Sequence, residues 1–358
     1  MTAGQEAALV ERAREALFAR QPLSGMRVVD AHAHAGPYSR FFIPDNDLPS
    51  MVHVMDRCGV GVALVSSHLA LELHVLRGNE VTAELVDRSQ GRFRGLLAVN
   101  PHHGVDKTLQ SLPDDRRFVG VKVHPDLHEY PLTATRYRPV FEAASELGFP
   151  VLVHSWAGSA YNDLRHFDVI GEPYPEATVV LGHGGARRSA LDDVAELASH
   201  HPNLVLETCG SFMTGAWIRR LVGTVGADRV LYGSDFPFLD MRYALGRVLF
   251  SGLDDADLVK VMGGSLCRLV RSRRRRLRTG RGGAGIVPRL PRTARRAEHN
   301  ARNTANPPAE ARADRPAVPD TVRGARSRQT TDKGQGRMER PQRKGVDIVI
   351  GVVGPSDV

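Results

Sequence analysis

Two histidines stand two positions apart at the end of an apolar run, Val28-Val29-Asp30-Ala31-His32-Ala33-His34. If residues 26–31 form a β-strand, side chains two apart share a face, so both imidazoles converge on one point. Two nitrogen donors at a strand's exit make half of a metal site. Single His and Asp residues recur where other apolar runs end. They are His124 after Val121-Lys122-Val123, His154 after Val151-Leu152-Val153, His183 in Leu181-Gly182-His183-Gly184-Gly185 and Asp235 in Gly233-Ser234-Asp235-Phe236-Pro237. The chemistry open to such groups is metal binding and proton transfer.

The elements that must position them are eight short apolar runs, at 26–31, 60–66, 94–99, 119–123, 150–153, 178–181, 204–207 and 230–232. Each is rich in Val, Leu or Ile with little polar alternation, as in parallel strands covered on both faces. Between them, residues 138–147 and 189–200 have amphipathic helical spacing, and Gly148 stands where a C-cap glycine belongs. Alternating strands and helices indicate an α/β fold with a parallel sheet. Eight units suit a closed (β/α)8 TIM barrel better than an open doubly wound sheet. No G-x-G-x-x-G follows the first run, which removes the main cue for a dinucleotide. In such a barrel all strands end at one mouth, so residues far apart in sequence meet there.

Three segments follow from composition: a helical extension over 1–25, a barrel over 26–270 and a basic tail over 271–358. Residues 5–20 read as a polar, Ala-rich surface helix, and 254–269 as helical material closing the barrel. The tail carries 22 Lys and Arg against 8 Asp and Glu, and the rest of the chain 26 against 32. The formal charge of +8 therefore belongs to the tail, which excludes a uniformly basic nucleic-acid-binding domain. With no Phe, Tyr or Trp, the tail buries too little apolar surface to offset its ordering entropy, so disorder is expected. An Arg-rich nucleic-acid binder acting through this tail is the non-enzyme reading; without aromatic residues for stacking, only non-specific binding is expected of it. No run reaches the ~18–20 apolar residues of a membrane span, and the start lacks the features of a signal peptide. Three unpatterned cysteines, Cys58, Cys209 and Cys267, fit a reducing cytoplasm and argue against a thiolate zinc site. Each is expected to be a buried, inert thiol, with Cys209 near the pocket. A small-molecule substrate and a second copy of the chain are the partners expected.

The ordered set D-x-H-x-H, G-x-K-x-H-P, a strand-five His, G-H-x-G and G-S-D-x-P resembles the amidohydrolase superfamily. More narrowly, it resembles the amidohydrolase-related branch that includes aminocarboxymuconate-semialdehyde decarboxylase. The resemblance covers about residues 26–270. It implies that His32, His34, His154 and Asp235 bind one divalent metal, most often zinc, with His183 beside the metal-bound water or substrate. Three imidazoles and one carboxylate are a donor set suited to Zn²⁺. A water on such an ion has its pKa lowered toward ~7, giving a hydroxide nucleophile whose proton Asp235 takes and His183 helps to direct. Asp30 is read as a supporting or structural group on the first strand.

Lys122 lies on a buried strand, where a lone ammonium is costly. In some relatives a strand-four lysine is carboxylated and bridges two metals. Here an ion pair with Glu207 or Asp235 is the favoured reading, hence a single metal. His124 reads as a hydrogen-bonding partner, and His68, His102, His103 and His128 as surface or rim residues. The loop over 36–42 offers an aromatic wall with Arg40, and Trp156 and Arg187 follow the later histidines. Aromatic surface with guanidinium forks suits a planar substrate bearing a carboxylate. The family's closing G-N-x-x-R-L has Ser265 in place of Asn here, a change in packing and not in chemistry. The reaction expected first is hydrolysis of an amide, ester or lactone. The alternative is non-oxidative decarboxylation at the same site.

Overall fold

Runs of Val, Leu and Ile too short for a helix set the frame of this molecule. The computed structural model describes residues 2–271. There the runs form β1 (Val29–Ala35), β2 (Val62–Ser67), β3 (Phe93–Ala98), β4 (Phe118–Val123), β5 (Val151–His154), β6 (Val179–Gly182), β7 (Leu204–Glu207) and β8 (Val230–Leu231). Neighbours pair in parallel in the order β1 to β8. Backbone bonds from Ala31 N to Tyr232 O (2.9 Å) and from Asp235 N to His32 O (2.8 Å) join β8 and its exit back to β1. The architecture is the expected TIM barrel. Its first strand starts and ends later than the sequence suggested, because Asp235 and Phe236 bond the backbone of His32 and His34 and extend the pairing.

Two apolar layers hold the barrel. Outward strand residues such as Ala63, Val65, Val121 and Val153 pack against the helices, which include Leu48–Cys58, Arg138–Leu147 and Leu191–His200. Inward residues Val29, Ala31, Leu64, Leu96, Val119, Leu152, Val180, Val205 and Leu231 fill the lower interior, with Leu266 as a plug. On β5 and β7 simple alternation continues upward from Leu152 to His154 and from Val205 to Glu207. On β1 it cannot, because Val29 and Ala31 already point inward and His32 is the next residue. The register with β2 slips between Asp30 and Ala33. This bulge turns both histidines inward while Ala33 and Ala35 join the outer layer. A second slip, with Gly95 opposite Phe118 and Leu96 opposite Gly120, does the same for Lys122 on β4.

The N-terminal helix is Ala3–Phe18, started by a reciprocal Thr2–Gln5 capping box. It is less of a surface element than its composition suggested. Leu9, Val10 and Ala13 are buried, and Arg14 Nε donates to Leu249 O at 3.1 Å. Burying the Leu and Val side chains stabilises the docked helix by about 1.5–3 kcal/mol each. After the helix Asp255–Val259, a wide turn over Lys260–Gly264 leads into the last described helical residues. Ser265, at the family's Asn position, donates its hydroxyl to Ala227 O at 2.9 Å. Beyond residue 271 the basic tail lies outside the described residues. No described helix is long and apolar enough to cross a membrane.

Candidate metal centre

Five strand ends deliver the side chains. His32 and His34 come from β1, Lys122 from β4, His183 directly after β6, Glu207 from β7 and Asp235 from the loop after β8. His183 (φ 64°) and Asp235 (φ 60°) both adopt the left-handed backbone conformation, which Asp and His tolerate better than most residues. Gly182 leaves room at the centre, since a Cβ there would lie 3.3 Å from His32 Cε1 and 3.0 Å from Val153 O.

His32 Nε2 and His34 Nε2 are 3.1 Å apart, and Asp235 Oδ1 lies 3.7 and 3.4 Å from them. His183 Nδ1 stands 3.9 Å from Asp235 Oδ2. Behind them His32 Nδ1 is 3.0 Å from Glu207 Oε2. A carboxylate only accepts, so Nδ1 carries the hydrogen and Nε2 turns its lone pair into the cavity. Glu207 Oε2 also accepts from His183 N at 3.1 Å and from the Cys209 thiol at 2.8 Å. Cys209 Sγ in turn lies 3.1 Å from His183 Nδ1. One donor atom from each of His32, His183, Cys209 and Asp235 falls within 4.8 Å of all the others.

The electrostatics favour a cation here. Burial holds His32 and His34 well below the usual imidazole range and His183 down to about 4, so all three offer lone pairs. Burial also raises Asp235, and pushes Glu207 up to about 7. Neutral imidazoles packed with carboxyl groups that lack a full counter-charge fit a divalent ion, which would neutralise the carboxylates and take the crowded lone pairs. Asp30 holds the frame in place. It accepts from His32 N and Ser234 N, both at 3.0 Å, and from the Ser234 hydroxyl, tying β1 to the loop that carries Asp235.

Lys122 differs from its expected pairing. Its Nζ contacts His32 Nε2 at 2.7 Å, and among the described residues no carboxylate stands within ion-pair distance. Its inward position after the β4 bulge aims the short reach of Nζ at β1, and burial lowers its pKa to about 8. His154 stands at the edge of the cluster. Its ring meets His183 edge-on at 4.6 Å and stacks on His124 at 4.0 Å, with Nε2 3.6 Å from Asp126 Oδ2. Trp156 lies parallel to His154 at 6.0 Å. Arg187 borders a shallow recess shared with His183, Phe212 and Met213, whereas Arg40 is exposed.

Several site residues were not assigned from sequence. Glu207 was read only as a partner for Lys122, and Cys209, expected near the pocket, lies within the cluster itself. His68 and His128, read as rim residues, are buried. His128 is held by Tyr137 Oη at 2.8 Å and Leu71 O at 3.1 Å. His68 stacks on His34 at 5.1 Å, and Phe238 and Tyr38 lie 4.9 and 5.3 Å from it. Ser39 bonds Glu72 through both its backbone N (3.2 Å) and its hydroxyl (2.7 Å), fastening the loop that carries Tyr38.

Gamma-resorcylate decarboxylase of Polaromonas sp. is 22% identical to this chain over 312 residues, covering 65% of it and 93% of that protein. The structure of 5-carboxyvanillate decarboxylase from Sphingomonas paucimobilis is similar with a TM-score of 0.55 at 16% identity, covering 69% of this chain and 99% of that one. A dihydroxybenzoic acid decarboxylase from Polaromonas sp., with bound manganese and the inhibitor 2-nitroresorcinol, gives 0.54 at 19% identity, covering 69% and 97%. At these identities the two structures establish the shared fold. The sequence pattern of the amidohydrolase family matches residues 29–265, a span that takes in every strand and both ends of the cluster. The chain belongs to the amidohydrolase family.

Proposed function

We propose that this protein is a metal-dependent carboxy-lyase that removes a carboxylate from an aromatic acid as CO₂. The observation that carries the proposal is the pairing of carboxyl and imidazole at the barrel mouth, with Asp235 Oδ1 3.4 Å from His34 Nε2 and Oδ2 3.9 Å from His183 Nδ1. A carboxyl and an imidazole so placed can relay a proton to carbon, which decarboxylation of a ring needs and which hydrolysis does not need at the outset. The relatives support it, since they bear decarboxylase names. Hydrolysis, expected first from the sequence, has no such support.

The metal site is assigned to His32, His34, His154 and Asp235, with Glu207 fixing the tautomer of His32. A divalent ion held there would supply positive charge for the substrate's carboxylate. One relative holds manganese, so both it and zinc belong in the trials. Asp235, with His183 as its proton partner, places a proton on the ring carbon that bears the carboxylate. The C–C bond to the carboxylate then breaks, its electron pair returns to the ring and CO₂ leaves. Trp156, beside His154, and Arg187, in the recess with His183, are assigned to substrate contact.

The test is incubation of zinc- or manganese-loaded protein with 2,6-dihydroxybenzoate and 5-carboxyvanillate, beside lactones and amides. CO₂ release with one deuterium entering the ring from D₂O is expected. Asp235→Asn and His183→Asn should each lower kcat by about 10²–10⁴-fold. His183→Asn should keep its metal, whereas His154→Asn should lose it. Hydrolysis of an amide or lactone without CO₂ from any aromatic acid overturns the proposal.

A further inference from the structure

One imidazole beside the metal centre uses only half of its hydrogen-bonding capacity. His68 follows β2 and is 1% exposed, with Nδ1 2.7 Å from Gly36 O. A carbonyl only accepts, so Nδ1 carries the hydrogen and the neutral ring presents Nε2 as a bare acceptor. That Nε2 is buried and has no hydrogen-bond partner among the described residues. Buried polar atoms are ordinarily paired, so an orphan at the mouth of a site calls for a ligand.

The surroundings define that ligand. Tyr38, Phe41 and Phe238 pack edge to face on one another with ring centroids 4.9–5.9 Å apart, and Phe238 also meets His34 at 5.7 Å. His34, on which His68 stacks, has Nε2 3.4 Å from Asp235 Oδ1. The orphan acceptor therefore belongs to an aromatic wall next to the reacting groups. A flat ring suits that wall, and only a donor on the ring suits Nε2. An ionised carboxylate has acceptors alone and leaves it unpaired.

We propose that His68 is a specificity-determining residue, whose Nε2 accepts a hydrogen bond from a phenolic hydroxyl on the substrate ring. This rests on the aromatic carboxy-lyase reading above. No bond is made or broken at His68. The hydroxyl hydrogen is drawn toward Nε2, electron density on the ring rises, and protonation of the carboxylate-bearing carbon becomes easier.

Two variants separate recognition from support. An Asn amide reaches the place of Nδ1, so His68→Asn keeps the bond to Gly36 O and removes the acceptor. A Gln carbonyl reaches the place of Nε2, so His68→Gln restores it. Affinities of the manganese-loaded protein for resorcinol and for its dimethyl ether are measured by calorimetry, without turnover. The resorcinol preference should fall by about tenfold or more in His68→Asn and recover in His68→Gln. The same pattern is expected in kcat/KM for 2,6-dihydroxybenzoate against 2,6-dimethoxybenzoate. An unchanged preference in His68→Asn, or an equal loss in both variants, overturns the assignment. A His68-dependent preference without CO₂ from any hydroxybenzoate refutes the carboxy-lyase reading and sustains the recognition. CO₂ release with no His68-dependent preference does the reverse.

Discussion

Replacing Glu207 with Gln tests how the metal centre is oriented. Glu207 is fully buried and meets four donors: His32 Nδ1 at 3.0 Å, His183 N at 3.1 Å, the Cys209 thiol at 2.8 Å and, through Oε1, Cys209 N at 2.5 Å. Gln has one acceptor oxygen where Glu has two. Its amide nitrogen does least harm when turned to Cys209 N, where two N–H groups then face each other. One buried donor left unpaired costs about 1–3 kcal/mol of stability. The bond from His32 loses its charge assistance, which about halves it. The tautomer that points the His32 Nε2 lone pair at the metal is then less firmly held. Losing such an outer partner typically costs about 10–100-fold in metal affinity, or about 1.4–2.7 kcal/mol. Competition against a chromophoric chelator reads the affinity, and urea unfolding of metal-free protein reads the stability. A Glu207→Gln protein that is destabilised as stated, yet binds metal within twofold of the parent, would refute the orienting role.

Gly233→Ala should act on the same residue from the other side. Its new Cβ would fall 1.9 Å from Glu207 Oε1 and 2.4 Å from Cδ, and the carboxylate is pinned and cannot yield cheaply. A stability loss of about 1–3 kcal/mol with weakened metal binding is expected, and full metal content at an unchanged Tm would contradict it. A pH dependence follows from His128, which burial pushes down to about 4. Between that value and the ~6.5 of an unfolded histidine, only the unfolded chain takes the proton, so stability is lost as pH falls through this window. The loss amounts to about 1.4 kcal/mol per pH unit, or about 3 kcal/mol across the window. The buried carboxyls Asp30 and Glu207, both raised to about 7, act in the opposite sense, so the comparison must be differential. On going from pH 7.5 to 5, the urea midpoint of metal-free His128→Asn should shift in the stabilising direction relative to the shift of the parent, and equal shifts would remove His128 from the account.

The sequence by itself determined the barrel, because eight apolar runs of strand length separated by helical spacing have few other ways to bury both faces. It also determined that His32, His34, His154, His183 and Asp235 stand near one mouth, since each follows such a run. The direction of those side chains was decided by tertiary structure. Period-two alternation from Val29 and Ala31 would send His32 and His34 toward the helices. The slip opposite β2 reverses them, and it is held by bonds from Asp235 and Phe236, some 200 positions away. The partner of Lys122 was likewise decided by a slip, on β4, that no local pattern announces. Burial is a property of the packed shell, so His68 and His128 looked like rim residues until the loop of Tyr38 and the ring of Tyr137 covered them. Glu207 meets its partners for the same reason. An acid at a strand exit is ordinary in sequence, and only barrel closure puts four donors around it.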